Sequence, residues 1–370
     1  MQDERVASPV QGRISLADSG PSLEARATGG IWPDGGLRAA LRALRPLVGS
    51  RAIDSAGSAA PLERFAMAGD PPAVASCAML EEFGARVANV AAAVGVDAFL
   101  DGIQRSRILG HLDGSPILFA TVAAVIRQRI DRRMVTWDVP RVRHLVLASR
   151  THLGESHWAA LLATNVDPID VSESGRDELP LHPLAVRARA LDVVAQERET
   201  LERRLAAEWC RTEQRWLWID GGISGNLAVD AASPAFGVVK SHNTLYGDVA
   251  AVRATLGLAV GERSPLFLVQ HRGRRGVASW YLRVHASDDG DPLHGLVRVE
   301  LAPPLSLFHA ADVARDHPEP AAVRILTRRA DEVSGWILAE RGPIALPDPR
   351  WDTLTYGVYG CEQYLKALIG

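Results

Sequence analysis

Cysteine is scarce in this chain of 370 residues: Cys77, Cys210 and Cys361 are odd in number, far apart and never in a CxxC pair. That pattern excludes a disulfide framework and a cysteine-based zinc site, and it predicts three reduced, buried thiols. Long apolar runs are missing too. No stretch reaches the roughly 18 to 20 apolar residues that a bilayer span requires. The first 30 residues also lack the basic-then-apolar order of a secretory signal. A cytoplasmic protein with no membrane partner is expected. No HExxH spacing joins the histidines, so His242, His271, His285, His294 and His309 read as surface or hydrogen-bonded residues. The loop Gly221-Gly222-Ile223-Ser224-Gly225 looks like a phosphate cradle but has neither a GKS/T sequence nor GxGxxG spacing, which argues against ATPase activity.

Excess positive charge is the next absence. A formal net charge of -3 does not advertise a nucleic-acid binder, because neutralising phosphates usually shows as net positive charge. Contact with DNA would then have to be local. Arginines cluster at Arg105 and Arg107, at Arg127, Arg129, Arg132 and Arg133, and at Arg272, Arg274 and Arg275. An enzyme acting on DNA can be near neutral when an arginine stripe follows the phosphates and acidic residues hold metal. Arg105, Arg107, Arg272, Arg274 and Arg275 are the candidate DNA contacts.

The composition, 47% hydrophobic and 23% charged, can bury a large core. Residues 1–35, rich in Gly, Ser, Pro and Asp, read as a mobile arm. Apolar spacing of three and four residues over 37–48 and 73–93 predicts a helical N-terminal region over 36–95. Runs of β-formers follow at 96–109, 117–125, 134–139 and 144–148, with a turn at Asp113-Gly114-Ser115-Pro116, and predict an antiparallel meander. After a polar, turn-rich segment at 167–183, residues 184–215 read as one long helix leading into Trp216-Leu217-Trp218-Ile219-Asp220. Further strands are expected at 235–240, 266–270, 279–285 and 295–300, a hairpin turn at Asp288-Asp289-Gly290, and helices at 321–341 and 359–369. Ser279-Trp280-Tyr281 reads as part of a sheet face, with base stacking as the alternative. The order predicts an α/β domain over 96–370: a ribonuclease H-like mixed sheet flanked by helices.

Two Asp-Gly pairs carry the chemical signal. Asp101-Gly102 and Asp220-Gly221 each close a run of β-formers, and a charge-rich helix bearing Glu199 and Glu202 lies between them. Rigid strand ends and one helix face can gather carboxylates, the ligands that Mg²⁺ and Mn²⁺ favour, and such a cluster repels itself unless a cation fills it. Phosphodiester hydrolysis at neutral pH needs divalent ions of this kind. Asp113 reads better as a turn. Glu199 and Glu202 share a helix face, and Leu201 and Leu205 place Glu202 beside the buried side. Arg198 with Glu202 and Glu199 with Arg203 could equally be surface pairs four residues apart, each contributing about 0.3 to 0.5 kcal/mol.

Phe99-Leu100-Asp101-Gly102-Ile103-Gln104, the glutamate-bearing helix, Trp218-Ile219-Asp220-Gly221-Gly222-Ile223 and Gly237-Val238-Val239-Lys240-Ser241-His242 resemble, in this order, the NurA family of DNA-repair nucleases. The resemblance spans residues 95–370. It implies a ribonuclease H-like core, dependence on Mn²⁺ (or Mg²⁺), a homodimer, and a HerA-type hexameric DNA translocase as partner in processing DNA ends. It also implies metal ligation by Asp101, Asp220 and a helix glutamate, Glu202 before Glu199, with Lys240 facing the substrate phosphate. The family places a small residue such as serine after its Asp-Gly pairs, where this chain has Ile103 and Gly222. It also supplies a histidine ligand near its C-terminus, preceded by a tyrosine; the corresponding stretch here offers Glu362 as ligand and Tyr356 or Tyr359 as the phenol. Two alternatives accompany the nuclease reading: a catalytically inactive ribonuclease H-like partner of a HerA-like ATPase, and an anti-phage defence nuclease with the same chemistry.

Overall fold

The computed structural model describes residues 36–48, 72–82, 84–91, 95–131, 133–173, 179–270, 276–286, 291–304, 307, 320–341 and 355–369. The arm at 1–35, the Asp288-Asp289-Gly290 turn, Arg132, His271, Arg272, Arg274, Arg275 and His309 lie outside the described residues. The elements are α1 (Gly36–Val48), β1 (Ala73–Ala75), β2 (Ala78–Met79), β3 (Arg86–Val87), β4 (Val96–Leu112), β5 (Ser115–Ile130), β6 (Arg133–Ala148), α2 (Arg150–Leu162) and β7 (Ile169–Asp170). They continue with α3 (Pro183–Thr212), β8 (Trp216–Asp220), β9 (Ala235–Val239), β10 (Thr244–Tyr246), α4 (Val249–Leu256), β11 (Glu262–Arg263) and β12 (Phe267–Val269). Last come β13 (Val277–Arg283), β14 (Leu296–Leu301), α5 (Pro320–Glu340) and α6 (Tyr356–Ile369).

The fold is α/β: among the described residues, one large mixed sheet with helices on both faces and a separate two-stranded sheet of β1 and β10. The path of the large sheet among the described residues runs β2-β12-β13-β14-β9-β8-β4-β5-β6-β7. The predicted meander is present, and its strands are longer than the apolar runs suggest. β4, β5 and β6 span 17, 16 and 16 residues. Asp113 (φ 47°) and Gly114 (φ 78°) are both left-handed, the requirement of a two-residue hairpin loop whose twist matches its strands. From Ser115 to Ile126 every residue of β5 is buried, because helices cover both faces of this strand; the pattern is therefore continuous rather than alternating.

Helix α3 covers one face. It starts with Pro183 in its first turn and the His182 ring accepting from Leu184 N at 3.1 Å, and it presents Val186, Ala190, Val194, Leu205 and Trp209 to Ala98, Leu100 and the even-numbered side of β5. The opposite face is covered in two pieces. Helices α5 and α6 bury Val333, Ile337, Val358, Cys361 and Leu365 over Phe99, Trp218, Phe236 and Trp280. Further along the hairpin, α1 and α2 pack on Leu109, Ile117 and Phe119. Side chains of β4 thus alternate between α3 (98, 100) and α6 (99).

Residues 73–93 are a correction. The predicted helix is replaced by three short strands, in which β1 pairs in parallel with β10 while β2 and β3 pair antiparallel with β12 and β11. Open sheet edges offered backbone partners to this segment, and Gly84 at φ 145° holds a conformation no helix tolerates. Helix α2 was not legible in the sequence. Its Gly154 (φ 71°) interrupts the helical backbone and blurs the periodicity. Cys361 is buried as expected, whereas Cys77 and Cys210 are half-exposed.

Candidate functional site

Strands β4, β8 and β9 run parallel, and the site lies at the carboxyl ends of β8 and β9, where open α/β sheets place ligands, beside the sixth residue of β4. β8 is bonded to β4 only as far as the pair Leu100↔Ile219, so the next residues, Asp101 and Asp220, stand side by side where the strands part. β4 continues with β5 alone. A cleft of about 660 Å³ opens at the parting, lined by Asp101, Glu199, Asp220, Gly221, Lys240 and Glu362 among others. Separate elements therefore bring Asp101, Glu199, Asp220, Lys240 and Glu362 together among the predicted site residues.

Asp101 is the most constrained of them. It is 7% exposed, and among the described residues its carboxylate accepts a hydrogen bond from its own neighbour, Gly102 N, at 2.7 Å. Burial pushes this carboxyl well above the usual carboxylate range, Asp220 and Glu202 push it further, and Lys240 opposes them. Glu202 approaches from α3, the other face of the sheet. A Cβ at Gly102 would overlap its carboxylate, so the glycine is a gap through which a helix side chain reaches the strand. Burial raises Glu202 to about 7 despite the ion pair and hydrogen bond from Arg198, which also reaches Gln104 Oε1 at 3.2 Å. Leu201 and Leu205 are buried beside it, as their spacing implies.

The other candidates differ in setting. Lys240 Nζ lies 2.7 Å from Asp220 Oδ1. Glu362 faces the cleft from α6 and pairs with Lys366 at 2.9 Å, one helical turn away. Glu199 is exposed and lines both this cleft and a smaller one beside it. Tyr356 is 50% exposed at the start of α6, and neither it nor Tyr359 lines the cleft. Arg105 and Arg107 alternate with Ile103 along β4 on the face of Asp101, half-buried, and so lead away from the cleft. Arg127 and Arg129 are structural: the first packs on Tyr364 at 4.5 Å from the ring centre, and the second makes a two-pronged bond to Glu340 at 2.6 and 2.9 Å. Ser279, Trp280 and Tyr281 are fully buried in the sheet.

Among the described residues no group of three or more His, Cys, Asp and Glu side chains forms a ready metal cage. The reason is visible in the partners: Asp220 turns to Lys240, Glu202 to Arg198 and Glu362 to Lys366. The donor set is nevertheless all carboxylate oxygen, with a buried, weakly bonded Asp101 at its centre, which is the chemistry that Mg²⁺ and Mn²⁺ accept.

Glu300 is a residue that sequence reasoning missed. It is 2% exposed on β14, accepts from Ile223 N at 2.7 Å and pairs with Arg298 at 2.5 Å, bracing the loop that follows Asp220. Its signal was the alternation Val297-Arg298-Val299-Glu300, two charges on one side of a strand whose other side is apolar. No family model matches this chain, and no curated protein is significantly similar to it.

Proposed function

We propose that this chain is a metal-dependent DNA nuclease with a ribonuclease H-like core that processes DNA ends. The observation that carries the reading is Asp101: a buried carboxylate, raised by Asp220 and Glu202, at the mouth of a cleft. Such a group is unfavourable in the resting protein and becomes favourable when a cation replaces its proton. Asp101 and Asp220 would hold Mn²⁺ or Mg²⁺, with Glu202 or Glu199 from α3 and Glu362 from α6 as further ligands. A divalent ion, when bound, polarises the phosphate and lowers the pKa of its water.

The chain's own groups supply the rest. Asp101 and Glu202, both raised by burial and by neighbouring carboxylates, would be favoured in their ionised form by such an ion. Lys240, next to Asp220, balances negative charge gathering on the phosphate, and Gly221 and Gly222 present bare backbone to it. Arg105 and Arg107 extend a basic track from the same face of β4. A HerA-like hexameric translocase and a second copy of the chain are the proposed partners; both rest on the motif resemblance. Asp220→Asn is expected to abolish Mn²⁺-dependent cleavage of linear DNA with an unchanged melting curve; cleavage at the wild-type rate rejects the reading.

A second reading draws on the ion pairs. Asp220, Glu202 and Glu362 are each already matched by a basic side chain, as in a ribonuclease H-like module that binds DNA or a translocase ring without cutting. Calorimetric titration with Mn²⁺ separates the two. The nuclease shows binding that Asp101→Asn removes; the inert module shows none.

A further inference from the structure

We propose that the smaller cleft, between α3 and the loop after β8, is a phosphate subsite that takes the terminal phosphomonoester of a nucleic-acid strand. The inference deepens the nuclease reading and rests on it for its biological sense. Size is the first argument. Pockets for drug-sized ligands run from about 300 to 1,000 Å³. This cleft holds about 190 Å³, against 660 Å³ next door, and so suits a small anion.

Its lining is the second argument. The Ser224 side chain lines the cleft, the residue is 8% exposed, and its hydroxyl meets no hydrogen-bond partner among the described residues. That hydroxyl is free to donate to a ligand. The N–H groups of Gly222, Ser224 and Gly225 likewise meet no acceptor among the described residues, whereas those of Gly221, Ile223 and Asn226 are spent on Val238 O, Glu300 and Ile223 O. Glu300 therefore holds the loop without using up these three donors. Ser224 and Gly225 are successive residues of a turn, and successive free amides of that kind form an anion-binding concavity.

Charge is the third. Arg198, Arg203, Glu199, Glu202 and Asp220 all line the cleft. Glu202 is matched by Arg198 and Asp220 by Lys240 from next door. Arg203 is exposed, reaches to 3.6 Å from where a Gly225 Cβ would stand, and donates to Thr200 Oγ1 at 3.0 Å through one nitrogen. Its remaining N–H groups are the strong donors for a phosphate. Because the subsite adjoins Asp220, a strand end seated there would bring the next phosphodiester to the carboxylate cleft.

The test uses inorganic phosphate as probe, titrated calorimetrically into the full chain in EDTA, so that metal and cleavage play no part. Wild-type protein is expected to bind, Arg203→Gln and Ser224→Ala each to weaken binding about tenfold, the scale of one charge-assisted hydrogen bond, and Arg203→Lys to restore part of it. Asp220→Asn is expected to bind phosphate at least as well as wild type, so a failure of the nuclease reading leaves this result standing. Absence of phosphate binding, or affinity unmoved by both substitutions while melting is unchanged, overturns the subsite. A second arm compares oligonucleotides ending in a phosphate or a hydroxyl. Loss of the preference for the phosphate end in Arg203→Gln supports the assignment; equal weakening of both overturns the terminal role in favour of an internal phosphodiester.

Discussion

Two buried carboxylates in this molecule have opposite fates. Glu81, with its side chain 2% exposed, is enclosed by Arg263 at 2.8 Å, Thr327 Oγ1 at 2.6 Å and Leu266 N at 2.9 Å, and these bonds hold its pKa below the ordinary value in spite of burial. Asp101 is buried too, faces two other carboxylates and sits well above the ordinary range. Burial is common to both; the partners decide. A carboxylate completed by guanidinium and amide donors is part of the scaffold, and one surrounded by other carboxylates is a place prepared for a cation.

The sharpest way to break the comparison is at Glu81. Glu81→Gln leaves the fully buried Arg263 without its main countercharge, and losing one partner of a buried pair costs about 3 to 5 kcal/mol. Urea denaturation should show that loss; a change within error would mean that Glu81 is no more structural than Asp101. At the site, Gly102→Ala forces the Glu202 carboxylate aside and is expected to destabilise by about 1 to 3 kcal/mol, the range for overpacking. Glu202→Ala should relieve most of this in the double variant. Strict additivity in that cycle would deny the contact.

Smaller effects follow from the pKa shifts. Asp101 and Glu202 are raised, so they cost no stability below their unfolded pKa values, near 4, and the cost grows as pH rises, for Glu202 up to about 7. Asp101→Asn should therefore stabilise the metal-free protein at neutral pH and flatten its pH dependence. Glu81 acts with the opposite sign: its contribution is present above its unfolded pKa and disappears as pH falls through its lowered folded value. Metal loading must displace protons, so the rise in melting temperature with Mn²⁺ should be larger at pH 8 than at pH 6. Equal shifts at the two pH values would show that neither raised carboxyl takes part.

Much of this was legible in the sequence where the signal is local. The Asp113-Gly114 turn, the strand Trp216–Asp220 and the helix over 183–212 follow from turn chemistry, β-branched and aromatic runs, and 3.6-residue spacing. Residues 73–93 went astray because a short apolar segment takes its structure from the sheet edge beside it. Glu199 and Glu202 differ by less than one helical turn. One is exposed and the other lies against Gly102, on the side that the buried Leu201 and Leu205 mark.

Chain order alone determined that two aspartates each follow a run of β-formers with an acidic helix between them, because turn residues and periodicity act over a few neighbours. Only the tertiary structure decided that β8 lies parallel beside β4, that the strands part at Asp101 and Asp220, and that Lys240, Arg198 and Glu300 stand where they do. Strand register sets Leu100 beside Ile219, and Glu300 reaches Ile223 from another strand; no local pattern encodes contacts between residues so far apart in sequence.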